Sequence, residues 1–273
     1  MLLQPGTGPL RSSTYLPASR ETVRWGRLPC GDDAPVLTID PGTEVTIDTL
    51  SHEGILEDQG RDPKAFFARH DVEGVLDDAV DLAASDHPRT FGVDGPHVVT
   101  GPIHVRGAEP GDLLSMTLVE ALPRVPYGVV SNRHGRGALP GEYPLLGADV
   151  FSVFARVDET GRRGLMAYGP DDDRTIGFDL DPFLGIMGVA TPGPERLHTV
   201  PPGAHGGNID IRLLTQGSTL HVPVQVPGAL AYVGDPHFAQ GDGEVALTAM
   251  EASLRVTVRF DVLAREDAVR SFG

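Results

Sequence analysis

Three times along this chain a short run of alternating apolar and polar residues stops at a tight turn and resumes as a second such run. The first is VLTI–DPGT–EVTIDTL (36–50), the second IHVRGAEPGDLLSMTLVEAL (103–122) and the third IRLLTQGSTLHVPVQV (211–226). Period-two alternation places side chains on the two faces of a strand, and Gly, Pro and short polar residues between the runs end one strand and admit another. Three strand pairs of this kind predict a mainly β fold with minor α, built on a β-sandwich or jelly-roll-like body with an additional barrel-like or α+β C-terminal part.

Around these pairs the chain is less regular. Residues 1–35 read as an extended arm or early edge strand. A helix is expected from Asp71, with Val72, Val75, Leu76, Ala79, Val80 and Ala83 on one apolar stripe and Asp77, Asp78 and Asp81 on a solvated face. A shorter helical turn is expected at Pro63–Arg69, capped by Asp62. Residues 126–174 are loop-rich, with an alternating stretch DVFSVFARVD and an acidic turn GPDDDR. Ser253–Val262 alternates as a strand with one core face and one wet face, and AREDAVRSFG reads as a tail. A division into a β-rich part with one helix (1–125) and a β-rich part carrying the polar turns (126–273) fits this pattern, as does one intertwined domain.

Composition removes several function classes. The 273 residues carry a formal net charge of −16, which disfavours nucleic acid or an anionic membrane as a partner, because phosphate surfaces need clustered Lys and Arg. Cys30 is the only cysteine and Lys64 the only lysine. An internal disulfide, a multi-cysteine zinc site and lysine-assisted nucleophiles are therefore excluded or hard to assemble. There is no G-x-S-x-G nucleophile elbow. No apolar run approaches the ~18 residues of a membrane span, and the N-terminus lacks a signal-peptide core. The expected setting is cytoplasmic.

Chemistry concentrates between His205 and Glu251, where His205, Asn208, Asp210, Asp235, His237, Gln240, Asp242 and Glu244 sit on glycine-rich turns between strands. The tripeptide Asp235-Pro-His237 sets a carboxylate and an imidazole two residues apart, on one side of an extended chain, a spacing that suits two ligands of one metal or an ordinary hydrogen-bonded turn. Glu244 follows as a third ligand, a general base or a solvated carboxylate. Upstream, His97 precedes a strand, and His52 and Glu53 lie in SHEG directly after EVTIDTL. Several histidines converging from distant segments would make a metal or acid/base site; each alone is a structural residue.

The segments HVVTGPIHVRGAEPGDLL, PFLGIMGVA, PPGAHGGNID and LTQGSTLHVPVQVPGALAYVGDPHFAQGDGEV, in order over residues 94–262, resemble the acetamidase/formamidase family. The resemblance implies a mainly β, jelly-roll-like fold, hydrolysis of a short linear amide to carboxylate and ammonia, and a divalent metal: zinc, with calcium as the alternative. It also implies a homodimer or higher homo-oligomer. DPH stands where the family has DGH, SHEG replaces an Asp-Ala or Asp-Cys element, and PYGVVSNRHGRGALPGEYP is an insert peculiar to this chain.

On that basis Asp235 and His237 are the leading metal ligands, with His97 third. Glu244 is the preferred general base and later acid, with Glu53 its rival. Asn208 and the backbone amides of Gly206 and Gly207 are oxyanion donors, and Asp210 orients a ligand histidine. His52, His205 and His134 contact the substrate, and the SHEG and His134 loops select it; the alternative for the loop is that Arg133, His134 and Arg136 merely solvate it. A non-catalytic small-molecule- or metal-binding β-sandwich remains the other reading of the whole chain.

Overall fold

In a computed structural model of the chain, residues 2–142, 149–169 and 173–272 are described; parts of the central insert and of the acidic turn GPDDDR lie outside them. The strands are β1 (Tyr15–Leu16), β2 (Val23–Trp25), β3 (Leu37–Ile39), β4 (Thr43–Asp48), β5 (Val98–Val105), β6 (Leu113–Pro123), β7 (Tyr127–Arg133), β8 (Val150–Val157), β9 (Arg163–Ala167), β10 (Thr175–Asp179), β11 (Phe183–Val189), β12 (Gly206–Asn208), β13 (Thr219–Pro223), β14 (Ala231–Ala239), β15 (Met250–Glu251) and β16 (Leu254–Leu263). The helices are α1 (Pro63–Ala68), α2 (Asp77–Ala83) and α3 (Arg265–Phe272). No described helix is long and apolar enough to cross a membrane.

Two sheets carry the fold, and neither closes into a barrel. A five-stranded sheet runs β1-β4-β16-β6-β13, and the larger one runs β10-β9-β8-β7-β15-β14-β11-β12, with β5 joined to β14 and flanked by β2 and β3. The mainly β expectation therefore holds, but the strand pairs do not form as hairpins. β3 lies parallel to β5 in the larger sheet while β4 lies antiparallel to β16 in the smaller one. β5 and β6 are likewise split between the sheets, and of 211–226 only β13 is a strand, paired with β6. The first two Gly/Pro turns are crossings between layers. A turn fixes a change of direction, and long-range pairing decides which sheet takes the next strand.

Between the layers lies one large core that includes Val45, Ile47, Leu114, Met116, Val256, Val258 and Phe260 together with Val98, Ile103, Leu184 and Val233. β16 is covered on both faces from Leu254 to Val258, while Arg259 and Asp261 beyond keep the wet face. Its Arg255 and Thr257, expected to be wet, are buried. Arg255 Nε and Nη2 donate to the Asp48 carboxylate at 2.6 and 2.9 Å, and Nη2 also donates to the Gln4 carbonyl at 3.1 Å, so the N-terminal arm closes over this face.

The helices differ from expectation in instructive ways. α1 forms as its signals predict, with the Asp62 carboxylate accepting from the Ala65 N–H at 3.1 Å and Pro63 in the first turn. α2 begins only at Asp77, because Asp71 takes a left-handed backbone (φ 59°) and Gly74 interrupts the run. Asp78 is not solvated: it is buried and paired with Arg124 Nη1 at 2.9 Å, beneath a guanidinium that also reaches Asp48 at 3.5 Å. The expected tail is α3.

Candidate active site

The ends of four strands and one loop bring imidazoles and carboxylates into one buried cluster. β14 contributes Asp235 and His237, two residues apart on the central strand of the larger sheet. Asp235 sits at φ 51°, a conformation L-residues seldom take in a strand and which costs about 1–3 kcal/mol unless the surroundings enforce it. β14 shifts register between His237 and Ala239, and there β15 sets Glu251 opposite His237. His52 enters from the segment after β4, His97 from the residue before β5, and Asp210, also left-handed (φ 50°), from the turn after β12.

Distances knit these groups together. His237 Nε2 lies 3.1 Å from Asp235 Oδ2, 3.2 Å from Glu251 Oε1 and 3.9 Å from Glu244 Oε1. His97 Nε2 is 3.8 Å from Asp235 Oδ2, its Nδ1 being held at 3.1 Å by the Thr199 hydroxyl. His52 Nδ1 is 3.7 Å from Asp235 Oδ1 and 3.8 Å from Glu251 Oε2, and its ring meets that of His97 edge to face at 5.4 Å. Three sets, His52/His97/Asp235, Asp210/Asp235/His237 and His237/Glu244/Glu251, each offer ligand atoms within 4.8 Å of one another.

Charge in this space is held against burial. Desolvation opposes protonating His52, but Glu251, Asp235 and Glu53 overcome it and raise its pKa to about 10. His237 is raised in the same way by Glu251 and Asp235, while burial lowers His97 to about 4 despite Asp235. Burial, then the neighbouring carboxylates, pushes Asp210 to about 8 and Glu244 to about 9. Glu251 rises for the same reason; Asp235, although buried, is pulled far down by His97 and His237. Such splitting of acidities in one confined space is the electrostatic pattern of a functional site.

The donor set fits a divalent cation. Asp210 Oδ1, Asp235 Oδ1, Glu251 Oε2 and His52 Nδ1 are buried and make no hydrogen bond among the described residues, a cost that a bound cation would remove. Gly185 of β11 faces the same space: a Cβ there would lie 2.5 Å from Asp210 Oδ1, 2.6 Å from Asp235 Oδ2 and 2.8 Å from His237 Cε1. Nitrogen and oxygen ligands without thiolate suit zinc or another borderline-to-hard divalent ion.

Of the residues singled out in the sequence, Asp235, His237, His97, Glu244 and Asp210 meet here, and so does His52, which lies inside the cluster rather than at its edge. Glu53 is adjacent but engaged: its carboxylate pairs with His52 Nε2 at 3.3 Å, accepts from the Ser131 hydroxyl at 2.7 Å and from Gln59, and faces Arg133 at 3.7 Å. Arg133 is locked to Asp58 at 2.7 Å, whereas His134 is exposed on the turn after β7 and belongs to none of the three ligand sets. The Gly206 N–H already donates to the Gly203 carbonyl at 2.9 Å, which removes it as an oxyanion donor. Asn208 ends β12 with a buried, unbonded Oδ1, and His205 is buried with its ring against Gly203 and Gly207. The partner of His237 Nδ1 is the Gln240 Oε1 acceptor at 3.1 Å, not Asp210. Glu251, Gly185 and Thr199 were not singled out as site residues. Glu251 sits in TAMEAS with no turn residue to mark it, and only its place opposite His237 reveals it.

Comparison with known proteins shows what the chain is similar to. Residues 188–271 match the Acetamidase/Formamidase family. A putative formamidase of Schizosaccharomyces pombe is 29% identical over 212 residues, covering 61% of this chain and 52% of its own length. An acetamidase of Mycolicibacterium smegmatis is 31% identical over 199 residues, covering 55% and 49%. The chain thus spans about half the length of these relatives. Among solved structures, an acetamidase from Bacillus halodurans superposes with a TM-score of 0.64 at 25% identity, over 92% of this chain and 70% of that one.

Proposed function

We propose that this chain, similar over residues 188–271 to the Acetamidase/Formamidase family, hydrolyses the C–N bond of a short linear amide to carboxylate and ammonia with a divalent cation, zinc, in the His52/His97/Asp210/Asp235/His237/Glu251 cluster. What carries the reading is the convergence of three imidazoles and three carboxylates, four of them with unbonded buried atoms, beside a carboxyl that is largely protonated near neutral pH.

An amide carbonyl is a weak electrophile and amide nitrogen a poor leaving group, so the site must activate water, stabilise negative charge on oxygen and deliver a proton to nitrogen. A bound divalent cation would supply polarisation of the carbonyl and an acidified water. The chain's own residues do the rest. Glu244 keeps 19% of its side chain exposed and so is open to an arriving substrate. Its raised pKa suits it to giving a proton to the departing amine, and to taking one from water once nearby positive charge has lowered that pKa. Asn208, whose buried Oδ1 is unbonded among the described residues, would orient the amide through its side chain. Glu53, held by His52, Ser131 and Gln59, keeps His52 in position rather than moving protons.

The test is ammonia release from formamide, acetamide and propionamide, with metal content determined on the same sample. Glu244→Gln should keep the metal and lose hydrolysis; loss of neither would point to a binding protein without catalysis.

A further inference from the structure

Gln240 closes a two-ended hydrogen-bond bridge behind His237. Its Nε2 donates to the Asp210 carbonyl at 2.7 Å, and its Oε1 lies 3.1 Å from His237 Nδ1. The first contact fixes the orientation of the side-chain amide. A backbone carbonyl can only accept, so the NH2 end must face Asp210 and the carbonyl end must face the imidazole. An amide oxygen can likewise only accept, so His237 Nδ1 must carry a proton and donate it. The proton on Nδ1 leaves the ring's other nitrogen, Nε2, as the atom turned into the cluster, 3.1 Å from Asp235 and 3.2 Å from Glu251.

We propose that Gln240 is a positioning residue that sets the tautomer and ring angle of His237, presenting an Nε2 lone pair to the cation. This rests on the reading that the cluster holds a cation. The same bridge ties the Asp210 turn to the β14 end, so one side chain spaces two members of the Asp210/Asp235/His237 set. His97 shows the same arrangement from another direction, with Nδ1 engaged by Thr199 and Nε2 facing Asp235. A hydrogen-bond partner behind a metal-facing imidazole both orients it and raises its basicity, and losing that partner costs about 10–100-fold in metal affinity.

Two variants and two readouts test it. Gln240→Leu removes both ends of the bridge, while Gln240→Glu keeps an acceptor for Nδ1–H. Zinc affinity is measured by chelator competition, and the His237 Nδ1–H signal is followed in 15N-histidine-labelled protein, assigned with His237→Gln. Wild type should show an exchange-protected Nδ1–H with or without zinc. Gln240→Leu should lose that protection and bind zinc about 10–100-fold more weakly, and Gln240→Glu should recover most of both. Unchanged affinity and protection in Gln240→Leu would overturn the proposal, as would Gln240→Glu binding no better than Gln240→Leu. If wild-type protein bound no zinc, the cation reading would fall, while the Nδ1–H signal would still decide whether Gln240 sets the tautomer.

Discussion

Adding one methyl group at Gly185 should disable the site while leaving the fold standing. Gly185 has no need of a left-handed backbone, so Gly185→Ala carries no conformational penalty of its own. Its cost is steric and local. The new Cβ would lie 2.5 Å from Asp210 Oδ1, 2.6 Å from Asp235 Oδ2 and 2.8 Å from His237 Cε1, so these atoms must retreat by roughly 0.6–0.9 Å to reach the 3.4 Å at which ordinary contact begins. All three belong to buried or largely buried side chains on the ends of β14 and the turn after β12. Overpacking of this kind costs about 1–3 kcal/mol of stability. Metal coordination is less tolerant, since ligand distances must hold to about ±0.2 Å. The expected outcome is a urea-unfolding free energy lower by about 1–3 kcal/mol, a zinc affinity lower by at least ~10-fold and amide hydrolysis lost in proportion. Gly243→Ala, where a Cβ would meet nothing within 4 Å, is the control. Zinc binding and hydrolysis at wild-type levels in Gly185→Ala would show that the cation does not sit against Asp210, Asp235 and His237.

Three further outcomes follow from the structure. Arg124→Ala leaves Asp78 and Asp48 without a buried guanidinium partner and should cost about 3–5 kcal/mol in urea unfolding; a loss under 1 kcal/mol would contradict the pairing. In metal-free protein, stability should fall as pH rises from 6.5 to 10. His52, raised from 6.5 to about 10, contributes stability complete below 6.5 and lost through 10, while Glu244 and Asp210, raised to about 9 and 8, bind protons in the folded state that the unfolded chain has already released; a flat or rising unfolding midpoint over that window would refute the assigned shifts. His134→Ala, at an exposed residue outside the three ligand sets, should leave zinc binding unchanged and alter only relative kcat/KM among amides, by up to about 1–3 kcal/mol; equal loss on every amide would make the loop part of the machinery.

Strands and site were legible in the sequence to different degrees, for physical reasons. Alternation located β4, β5, β6, β13 and β16, since burial of one face writes itself into every second residue. It could not show that β3 and β4, or β5 and β6, join different sheets, because pairing is decided by partners far along the chain. Arg255 and Thr257 read as wet because nothing local announces that the arm at Gln4–Pro9 closes over Arg255 or that Thr46 meets Thr257. The apolar stripe from Val72 suggested a longer helix than the Gly74 interruption allows. In the site, Asp235, His237, Glu244 and Asp210 were marked by glycine-rich turns. Glu251 and Gly185 lie inside apolar strands, where a carboxylate reads as an edge residue and a glycine as a break.

The central claim is that hydrolysis depends on a cation held in this cluster. The most direct measurement is ammonia release from acetamide by one sample as purified, after exhaustive chelation, and after return of one equivalent of zinc, with bound metal quantified at each stage. The account predicts about one ion per chain at the start, activity lost with the ion and restored on its return, and no recovery in an Asp235→Asn/His237→Gln variant. Undiminished ammonia release from protein shown to be metal-free would contradict it.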